Sequence, residues 1–515
     1  MADKMEKFAL TNPISIICDK DHRDITRDDL IKVIKEKEIE RITFHYTAID
    51  GKLRELIIPV QGRQQVELIL TEGERIDGSS IFKGMIDSSS SDLYVVPVYK
   101  TAFINPFDTK SLDFICRFIN KDGDFAPFAF DNILYNAKNR LEKNTGLELH
   151  ALGELEFFLI GRYQNNDYPL EKQKGYHATA PYVKSGYLIN EMLNYITQIS
   201  GRVKYAHNEV GYIEHIESEN PDIKGKTAGQ VEIEFQLSPI DEAADNVVLA
   251  SWIIRNVAYK HGFIATFFPK LDIGHAGSGL HFHTALYKGD TNVVSDAEGE
   301  LTEDSRCLIG GMCHYAQSLT AFGNMCSASY MRLVPHQEAP TKVCWSDLNR
   351  SALIRVPLAW TKVNNLASKI NPQQKELLKP SGSRQTVEIR SPDGSANTHL
   401  LLAGISLAAE WGLTNKKDSL ALTKNCHVIG NVHASNRYDE LSELPTSCWE
   451  SAEILLQHRN LYEVDNIFPT SVISYVVKYL QNENDRNLNQ LLTSLPEEEK
   501  IEESRRIMHK NFYKH

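Results

Sequence analysis

Apolar and polar residues follow two different periods along the chain, and these periods predict a mixture of helices and strands. Residues 27 to 37, RDDLIKVIKEK, have helical periodicity with acidic residues early and basic residues late. Residues 40 to 60, ERITFHYTAIDGKLRELIIPV, predict a β-hairpin, because two strand-like runs flank an Asp-Gly turn. Two further strands are predicted at residues 93 to 99 and 112 to 119. One helix with several strands favours a small α+β domain.

A second region follows the Gly-, Pro- and charge-containing stretch at residues 120 to 128, NKDGDFAPF. Its pattern predicts a helix at residues 131 to 146, a strand at 148 to 161, a helix at 245 to 262 and a strand at 263 to 269. The C-terminal quarter is mainly helical. We therefore predict three parts: an N-terminal extension with a helix (1 to 38), a small domain (39 to 122) and a large domain (123 to 515).

Composition and charge narrow the classes of protein and partner. The 515 residues are 42% hydrophobic and 24% charged, as in an ordinary soluble protein with more than one domain. A net charge of -12 argues against nucleic acid or an anionic membrane as a partner. The eight cysteines form no Cys-x-x-Cys pair, and the apolar run at residues 400 to 409 is too short to span a bilayer. We therefore expect a cytoplasmic protein, since the N-terminus also lacks a signal-peptide core.

Ionisable residues recur in pairs at a spacing of two within four strand-like segments. The pairs are Glu154 with Glu156, Glu232 with Glu234, His281 with His283, and Glu388 with Arg390. This spacing places both members of a pair on one face of a strand. A solvated face would explain one pair, whereas four pairs in apolar surroundings favour a shared cleft. Glu234 is left outside the predicted site, because it could equally be a surface carboxylate.

The side chains of this cleft predict metal-dependent chemistry. Carboxylates with an imidazole favour Mg²⁺ or Mn²⁺ over zinc, which prefers more His and Cys. Such ions most often serve phosphoryl transfer. Arginines in nearby segments, Arg332, Arg350 and Arg355, would then bind carboxylate or phosphate groups. There is no Walker P-loop and no kinase glycine-rich loop, so a nucleotide would be bound in another way.

Eight motifs, taken in this order, resemble the glutamine synthetase family. They are IDGSS (76 to 80), GELEFF (153 to 158), HNEV (207 to 210), TAGQVE (227 to 232), AGSGLHFH (276 to 283), RLVPHQEAP (332 to 340), NRSALIRVP (349 to 357) and VEIRSPDGSAN (387 to 397). The resemblance implies an α+β fold with an N-terminal β-grasp domain. A catalytic domain, an antiparallel sheet or partial barrel flanked by helices, would follow it.

The same resemblance implies an activity and an assembly. The reaction would join ammonia to the γ-carboxylate of L-glutamate through a γ-glutamyl phosphate, giving L-glutamine, ADP and phosphate. Glutamate, ammonium and ATP would be the substrates, and Mg²⁺ or Mn²⁺ the cofactors. The protein would be a homo-oligomer, a dodecamer of two stacked rings with active sites between subunits. It would bind no nucleic acid and no membrane.

Site residues can be carried over from the family motifs by position. The metal ligands would be Glu156, Glu209 and Glu232 for one ion, and Glu154, His281 and Glu388 for the other. Nucleotide contacts would come from His283, Arg355 and Ser80. Glutamate and the transferred phosphate would be bound by Gly277, Arg332, Arg350, Arg390 and Glu338. The catalytic residues would be Arg350, Glu338 on a flap, and Asp77 of a neighbouring subunit, which would take a proton from ammonium.

The chain also departs from the family pattern. Residues 211 to 226 intervene between the two glutamates matched by Glu209 and Glu232, so Glu214, Glu217 or Glu219 could replace Glu209 as a ligand. Ala276 stands where an asparagine that contacts glutamate is common. Thr386 stands where a nucleotide-binding arginine is common, and Arg384 is close enough in sequence to compensate. Two alternatives therefore stay open: a γ-glutamyl ligase for another amine, such as a polyamine, and a non-catalytic structural or regulatory homologue.

Overall fold

The computed structural model describes residues 7–86, 91–163, 167–334, 339–359, 363–379 and 382–515. Its strands form two mixed sheets, one of six strands near the N-terminus and one of ten strands in the remainder of the chain. Among the helices of these ranges, none is both long enough and apolar enough to cross a bilayer.

The first sheet contains the predicted hairpin. Its six strands are Arg41–Thr47, Leu53–Pro59, Glu74–Asp77, Asp92–Pro97, Phe103–Ile104 and Ser111–Ile119. The first two strands form the hairpin, and Arg41–Thr47 pairs in parallel with Ser111–Ile119. The helix Arg27–Glu36 begins at a capping box between Thr26 and Asp29, and its apolar side packs into the core of this sheet. These elements confirm the predicted β-grasp domain.

The second sheet is organised around one long strand, Glu148–Gly161, which we call the central strand. It pairs antiparallel on one side with Leu280–Lys288, the histidine strand, and on the other side with Thr227–Phe235. The full order across the sheet is Trp345–Asp347, Ile354–Val356, Val387–Ile389, the histidine strand, the central strand, Thr227–Phe235 and Val203–Ile213. Three two- or three-residue strands, Ser238–Pro239, Ile264–Thr266 and Thr291–Asn292, pair with its middle strands.

Helices flank this second sheet. The longer ones are Phe130–Thr145, Gly186–Ser200, Ile240–Lys260, Glu303–Gly323, Thr398–Thr414, Lys416–Cys426, Cys448–Gln457, Thr470–Gln481 and Glu497–Lys510. The predicted apolar run lies in Thr398–Thr414, and it is buried as expected. This helix lies close against Glu303–Gly323, because glycines meet there: a Cβ on Gly311 would come within 2.0 Å of the carbonyl oxygen of Ala408.

Two predicted elements differ from the observed ones by more than two residues at one end. The helix predicted at residues 245 to 262 begins earlier, at Ile240, because Pro239 ends the preceding strand and two acidic residues occupy the first helical turn. The strand predicted at 263 to 269 covers only Ile264–Thr266. Its apolar pattern continues because Phe267 and Phe268 are buried in irregular backbone before Pro269.

A buried ionic network joins the two parts of the chain. Arg117, on the last strand of the first sheet, donates a hydrogen bond of 2.5 Å to Asp245 and lies 3.6 Å from Asp131. His399 contacts the same Asp245 at 3.2 Å. Burial by itself would raise the pKa of Asp245, but the charges and hydrogen bonds of Arg117 and His399 together outweigh burial and lower it to about 2. This ionic network therefore joins the two domains, and loss of any one member would leave a buried charge without its counter-charge.

Candidate active site

The four segments with paired ionisable residues are neighbouring strands of the second sheet, as the sequence predicts. Residue pairing across the sheet places His281 opposite Glu154, Glu154 opposite Glu234, and Glu156 opposite Glu232. Residues directly opposite in a sheet share a face. The ionisable side chains therefore lie on one face, although they come from distant parts of the sequence.

One cluster consists of Glu154, His281 and Glu388, whose ligand atoms all lie within 4.8 Å of one another. Nδ1 of His281 is 3.0 Å from a carboxylate oxygen of Glu154 and 3.7 Å from Glu388. Nε2 of His283 contacts the other oxygen of Glu154 at 2.9 Å. Burial would raise the pKa of Glu154, but the nearby His283 and His281 lower it well below its usual value. Glu154 is therefore ionised in this cluster.

Glu388 is fully buried between two arginines. Arg390 donates a hydrogen bond of 2.6 Å to one carboxylate oxygen, and Arg355 donates one of 2.8 Å to the other. Burial by itself would raise the pKa of Glu388, but the charges of His283 and Arg390 lower it. The Nε atoms of both arginines are buried without a hydrogen-bond partner among the described residues. Both guanidinium groups therefore keep donor capacity for an anion in the cleft.

A second cluster lies on the other side of the central strand. The ligand atoms of His207, Glu209 and Glu232 all lie within 4.8 Å of one another. Glu156 lies directly across from Glu232 and accepts a hydrogen bond of 2.7 Å from the backbone N–H of Gly279. Burial and the charges of Glu232 and Glu209 raise the pKa of Glu156 to about 8. The three neighbouring carboxylates repel one another, and a divalent cation bound between them would relieve this repulsion.

The backbone explains how Glu209 reaches this cluster despite the inserted residues. The strand Val203–Ile213 pairs with Thr227–Phe235 in one register from Tyr205 to Asn208 and resumes pairing at Tyr212 after a register shift, so Glu209 lies in a bulged stretch of the strand. Bulges re-aim side chains. The other candidates in the insertion, Glu214, Glu217 and Glu219, are exposed. The structure thus brings Glu209, and none of these three, together with Glu232.

Glu234 belongs to the same face and is not a surface carboxylate. Its exposed fraction is 2%, and one of its oxygens accepts a hydrogen bond of 2.6 Å from Lys204. With Glu154 and Glu232 it forms a third group of possible ligand atoms within 4.8 Å of one another. The spacing of two already indicated that Glu234 shares a face with Glu232, but periodicity by itself does not show which face is buried.

Between the clusters and the arginines lies a cavity of about 940 Å³. Four of the predicted anion-binding arginines line it: Arg332, Arg350, Arg355 and Arg390. Arg332 is held by the backbone oxygen of Ser391 at 2.9 Å. Gly277 also lines the cavity, and a Cβ there would come within 2.6 Å of the carbonyl oxygen of Pro269. A side chain at position 277 would therefore displace the backbone that forms this wall.

Three further predicted site residues, His283, Asp77 and Ser80, do not line this cavity. His283 is buried behind Glu154 and its Nδ1 contacts Thr386 at 2.9 Å. Asp77 and Ser80 are exposed on the first domain and do not line this cavity. Ser80 and Ser79 donate hydrogen bonds to Asp77 and lower its pKa. Glu338 lies outside the described residues.

Several cavity residues were absent from the sequence prediction. His207 is two residues from Glu209, so the spacing that identified the other pairs could have identified it too. Lys270 is buried and donates to the carbonyl oxygen of His275. Tyr176 and Tyr205 line the cavity and contact the ring of His207. Lys270 and the two tyrosines carry no local signal of a site.

The fold and this site define a class of protein: a β-grasp domain followed by a sheet that presents two carboxylate–histidine clusters to an arginine-lined cavity. The family model "Glutamine synthetase, beta-Grasp domain" matches residues 38–121, and "Glutamine synthetase, catalytic domain" matches residues 132–494. The chain therefore belongs to the glutamine synthetase family, whose members depend on ATP and divalent metal ions.

Individual relatives agree with this assignment. Glutamine synthetase of Mycolicibacterium smegmatis is 29% identical over 498 residues, which cover 89% of this chain and 95% of the relative. That of Thermotoga maritima is 30% identical over 446 residues, which cover 84% and 90%. Among solved structures, Plasmodium falciparum glutamine synthetase has a TM-score of 0.71 at 21% identity, with 92% and 98% of the two chains covered. A GmaS/ADP complex has a TM-score of 0.68 at 18% identity and the same coverage.

Proposed function

We propose that this chain is a catalytic glutamine synthetase that joins ammonia to L-glutamate through a γ-glutamyl phosphate, at the expense of ATP. One observation carries the proposal: two clusters of metal-binding side chains and four arginines meet in one cavity. Several buried carboxylates close to one another would not be expected in a non-catalytic homologue, because their mutual repulsion destabilises the fold.

The donor atoms of the clusters fit Mg²⁺ or Mn²⁺. We assign one ion to Glu154, His281 and Glu388, and the other to Glu156, Glu209 and Glu232, with His207 as an additional neighbour. Carboxylate oxygens with one imidazole are the donors that such ions accept. When bound, the ions would neutralise the charge of the transferred phosphoryl group.

The protein's own residues would bind and orient the substrates. Arg332 and Arg390 are assigned to the carboxylates of glutamate, Arg350 to the transferred phosphate and Arg355 to ATP. Their planar guanidinium groups suit the forked geometry of carboxylate and phosphate. Glu338 would close over the site and exclude water, which protects the acyl phosphate from hydrolysis. His283 is assigned to the nucleotide phosphates, and its Nε2 also contacts Glu154 at 2.9 Å.

Asp77 and Ser80 support an assembly with shared active sites. Both residues are exposed and lie outside the cavity of their own chain. We propose that they complete the site of a neighbouring subunit in a dodecamer of two stacked rings, where Asp77 takes the proton of ammonium. An exposed carboxylate is ionised at neutral pH and attracts this cation.

A ligase for a larger amine is the second candidate. Ala276 lines the cavity in place of a larger polar residue, and Tyr176 and Tyr205 add aromatic walls near Glu209 and Glu232. Aromatic rings beside carboxylates favour alkylammonium groups. Against this candidate, the motif positions of Asp77 and Glu338 carry the acidic residues that an ammonium site needs.

The acceptor assay decides between the two. Purified protein with ATP, Mg²⁺ or Mn²⁺ and glutamate is supplied with ammonium, methylamine or putrescine, and released phosphate and the amide product are measured. Ammonium-dependent phosphate release with formation of glutamine supports glutamine synthetase. Brisk release with an organic amine and none with ammonium overturns it, and no release with any amine supports the non-catalytic alternative.

A further inference from the structure

A second cavity lies between the first domain and the back of the catalytic sheet. It has a volume of about 200 Å³ and is bounded by the first hairpin turn, the helix Ile240–Lys260 and residues 514 and 515. Leu155 and Leu280 line it. Leu155 lies between Glu154 and Glu156 in sequence, so its side chain points to the opposite face of the central strand. This cavity and the active-site cavity therefore share the central strand and the histidine strand.

Basic side chains dominate the charged part of this second cavity: Lys52, Arg54, Arg255 and Lys514 line it, with Asp50. Two of the four are already paired. Arg54 donates a hydrogen bond of 2.7 Å to Asp50, and the ammonium group of Lys514 is 3.6 Å from Glu483. Lys52 and Arg255 are left, and within the ranges that the structure describes neither has a carboxylate at ion-pair distance.

Arg255 is the most unusual of these groups. Its guanidinium lies 4.7 Å from the ring centroid of Phe267, and it makes no hydrogen bond to any described residue. Burial lowers the pKa of Arg255 to about 10. Burial and the charge of Arg255 lower the pKa of Lys52 to about 8. Lys52 donates a hydrogen bond of 3.4 Å to the backbone oxygen of Tyr513. Two half-buried cations thus line one cavity with no carboxylate at ion-pair distance among the described residues, an arrangement that an anion would stabilise.

A third group in the second cavity has unused hydrogen-bonding capacity. The side chain of His515 is 8% exposed, and its Nε2 has no hydrogen-bond partner among the described residues. Burial and the charges of Lys514, Lys52 and Arg255 lower its pKa well below the usual value. Buried polar atoms are nearly always paired, so an unpaired one beside two cations that lack an ion-pair partner among the described residues points to a ligand.

We propose that the second cavity binds a small carboxylate anion with a short apolar body. The carboxylate would lie between Lys52 and Arg255, whose planar fork matches it. Leu155, Trp252 and Phe267 would contact the carbon chain. The volume admits a ligand of several non-hydrogen atoms, since liquid water occupies about 30 Å³ per molecule. Inorganic phosphate shares the charge of such a ligand but not its apolar contacts.

Occupancy of this site would couple the two domains. Lys52 belongs to the first hairpin turn and Arg255 to a helix of the catalytic domain, so one anion would bridge them. The ligand would also pack against the back of the central strand, where the metal-binding glutamates are mounted. The site is therefore an effector site by position, separate from the arginines of the active-site cavity.

Thermal unfolding of the full-length protein, without metal, ATP or glutamate, tests the site independently of the proposed reaction. Sodium butyrate, sodium phosphate and sodium chloride are compared at equal ionic strength. Butyrate should raise Tm saturably, by about 2 to 3 °C at roughly 100 times its dissociation constant. The shift should be lost in Arg255→Met and Lys52→Met and retained in Lys417→Met, which changes an exposed lysine on Lys416–Cys426.

The opposite results would overturn the assignment. A butyrate shift that survives in Arg255→Met and disappears in Arg390→Met would place the anion in the active-site cavity. A phosphate shift at least as large as the butyrate shift would exclude the preference for an apolar body. A second readout does not depend on the folding of the Arg255 variant. Butyrate should change the tryptophan emission of the unmodified protein and should not change the emission of Trp252→Phe. Equal changes in both proteins would also overturn the proposal.

Discussion

The imidazole of His281 lies directly opposite Glu154 on the neighbouring strand, with its Nδ1 3.0 Å from a carboxylate oxygen. The strand register fixes this contact. A slip of one residue would send His281 to the other face, where Leu280 now lines the second cavity. The alternation that presents ligands to the active site thus also presents leucines to the proposed effector site.

Glu156→Ala should abolish turnover and leave the fold largely intact. The charge of Arg332 acts on Glu156, but burial and the neighbouring carboxylates outweigh it, and Glu156 belongs to the carboxylates assigned to one metal ion. We expect the rate of ammonium-dependent phosphate release to fall by at least about 100-fold, as for loss of other transition-state stabilising groups. Far-UV circular dichroism should stay unchanged. Glu214→Ala, an exposed glutamate of the insertion, is the matched control and should keep full activity.

Glu209→Ala should weaken metal binding, whereas Glu217→Ala should not. The ligand atoms of Glu209, His207 and Glu232 lie within 4.8 Å of one another, whereas Glu217 is exposed. Titration with Mn²⁺, followed by the rise of Tm, should give an apparent dissociation constant at least about 10-fold higher for Glu209→Ala. If Glu217→Ala weakened Mn²⁺ binding and Glu209→Ala did not, the carboxylate ligand would come from the insertion and not from Glu209.

Asp77→Ala and Arg350→Ala should complement each other. If a site takes Asp77 from one subunit and Arg350 from its neighbour, each variant is inactive by itself. Co-expression in equal amounts should restore about a quarter of the unmodified activity, because random neighbours in a ring leave that share of sites intact. Differently tagged copies, purified through both tags, provide the sample. An inactive mixed oligomer would contradict sites shared in this way.

Arg117→Met should destabilise the protein strongly. The substitution leaves Asp245 and Asp131 buried without their cation, and removal of one partner of a buried ion pair costs roughly 3 to 5 kcal/mol. The midpoint of urea unfolding measures the loss. Arg63→Met is the control, since Arg63 pairs with Glu67 on an exposed helix face and such solvent-exposed pairs contribute little to stability. Equal midpoints for the two variants would show that the network does not stabilise the domain junction.

Local elements of this fold were predictable where the signal itself is local. The Asp-Gly turn gave the first hairpin, and the strand at residues 148 to 161 was predicted with its observed bounds, Glu148–Gly161. Glu234 shows the limit. Its spacing from Glu232 indicates a shared face, but its burial beside Lys204 depends on the strand Val203–Ile213, which lies well before it in the chain.

By itself, the sequence determined the alternation that puts metal-binding groups on one face of each strand, and the order of motifs that resembles the family. Only the tertiary structure decided that Glu209 reaches Glu232 through a bulge, that Arg117 joins the domains, and that Arg255 lines a second cavity with no carboxylate of the described residues at ion-pair distance. The reason is physical. Side-chain direction along a strand follows from the backbone, whereas the partners of a side chain depend on which distant segments pack together.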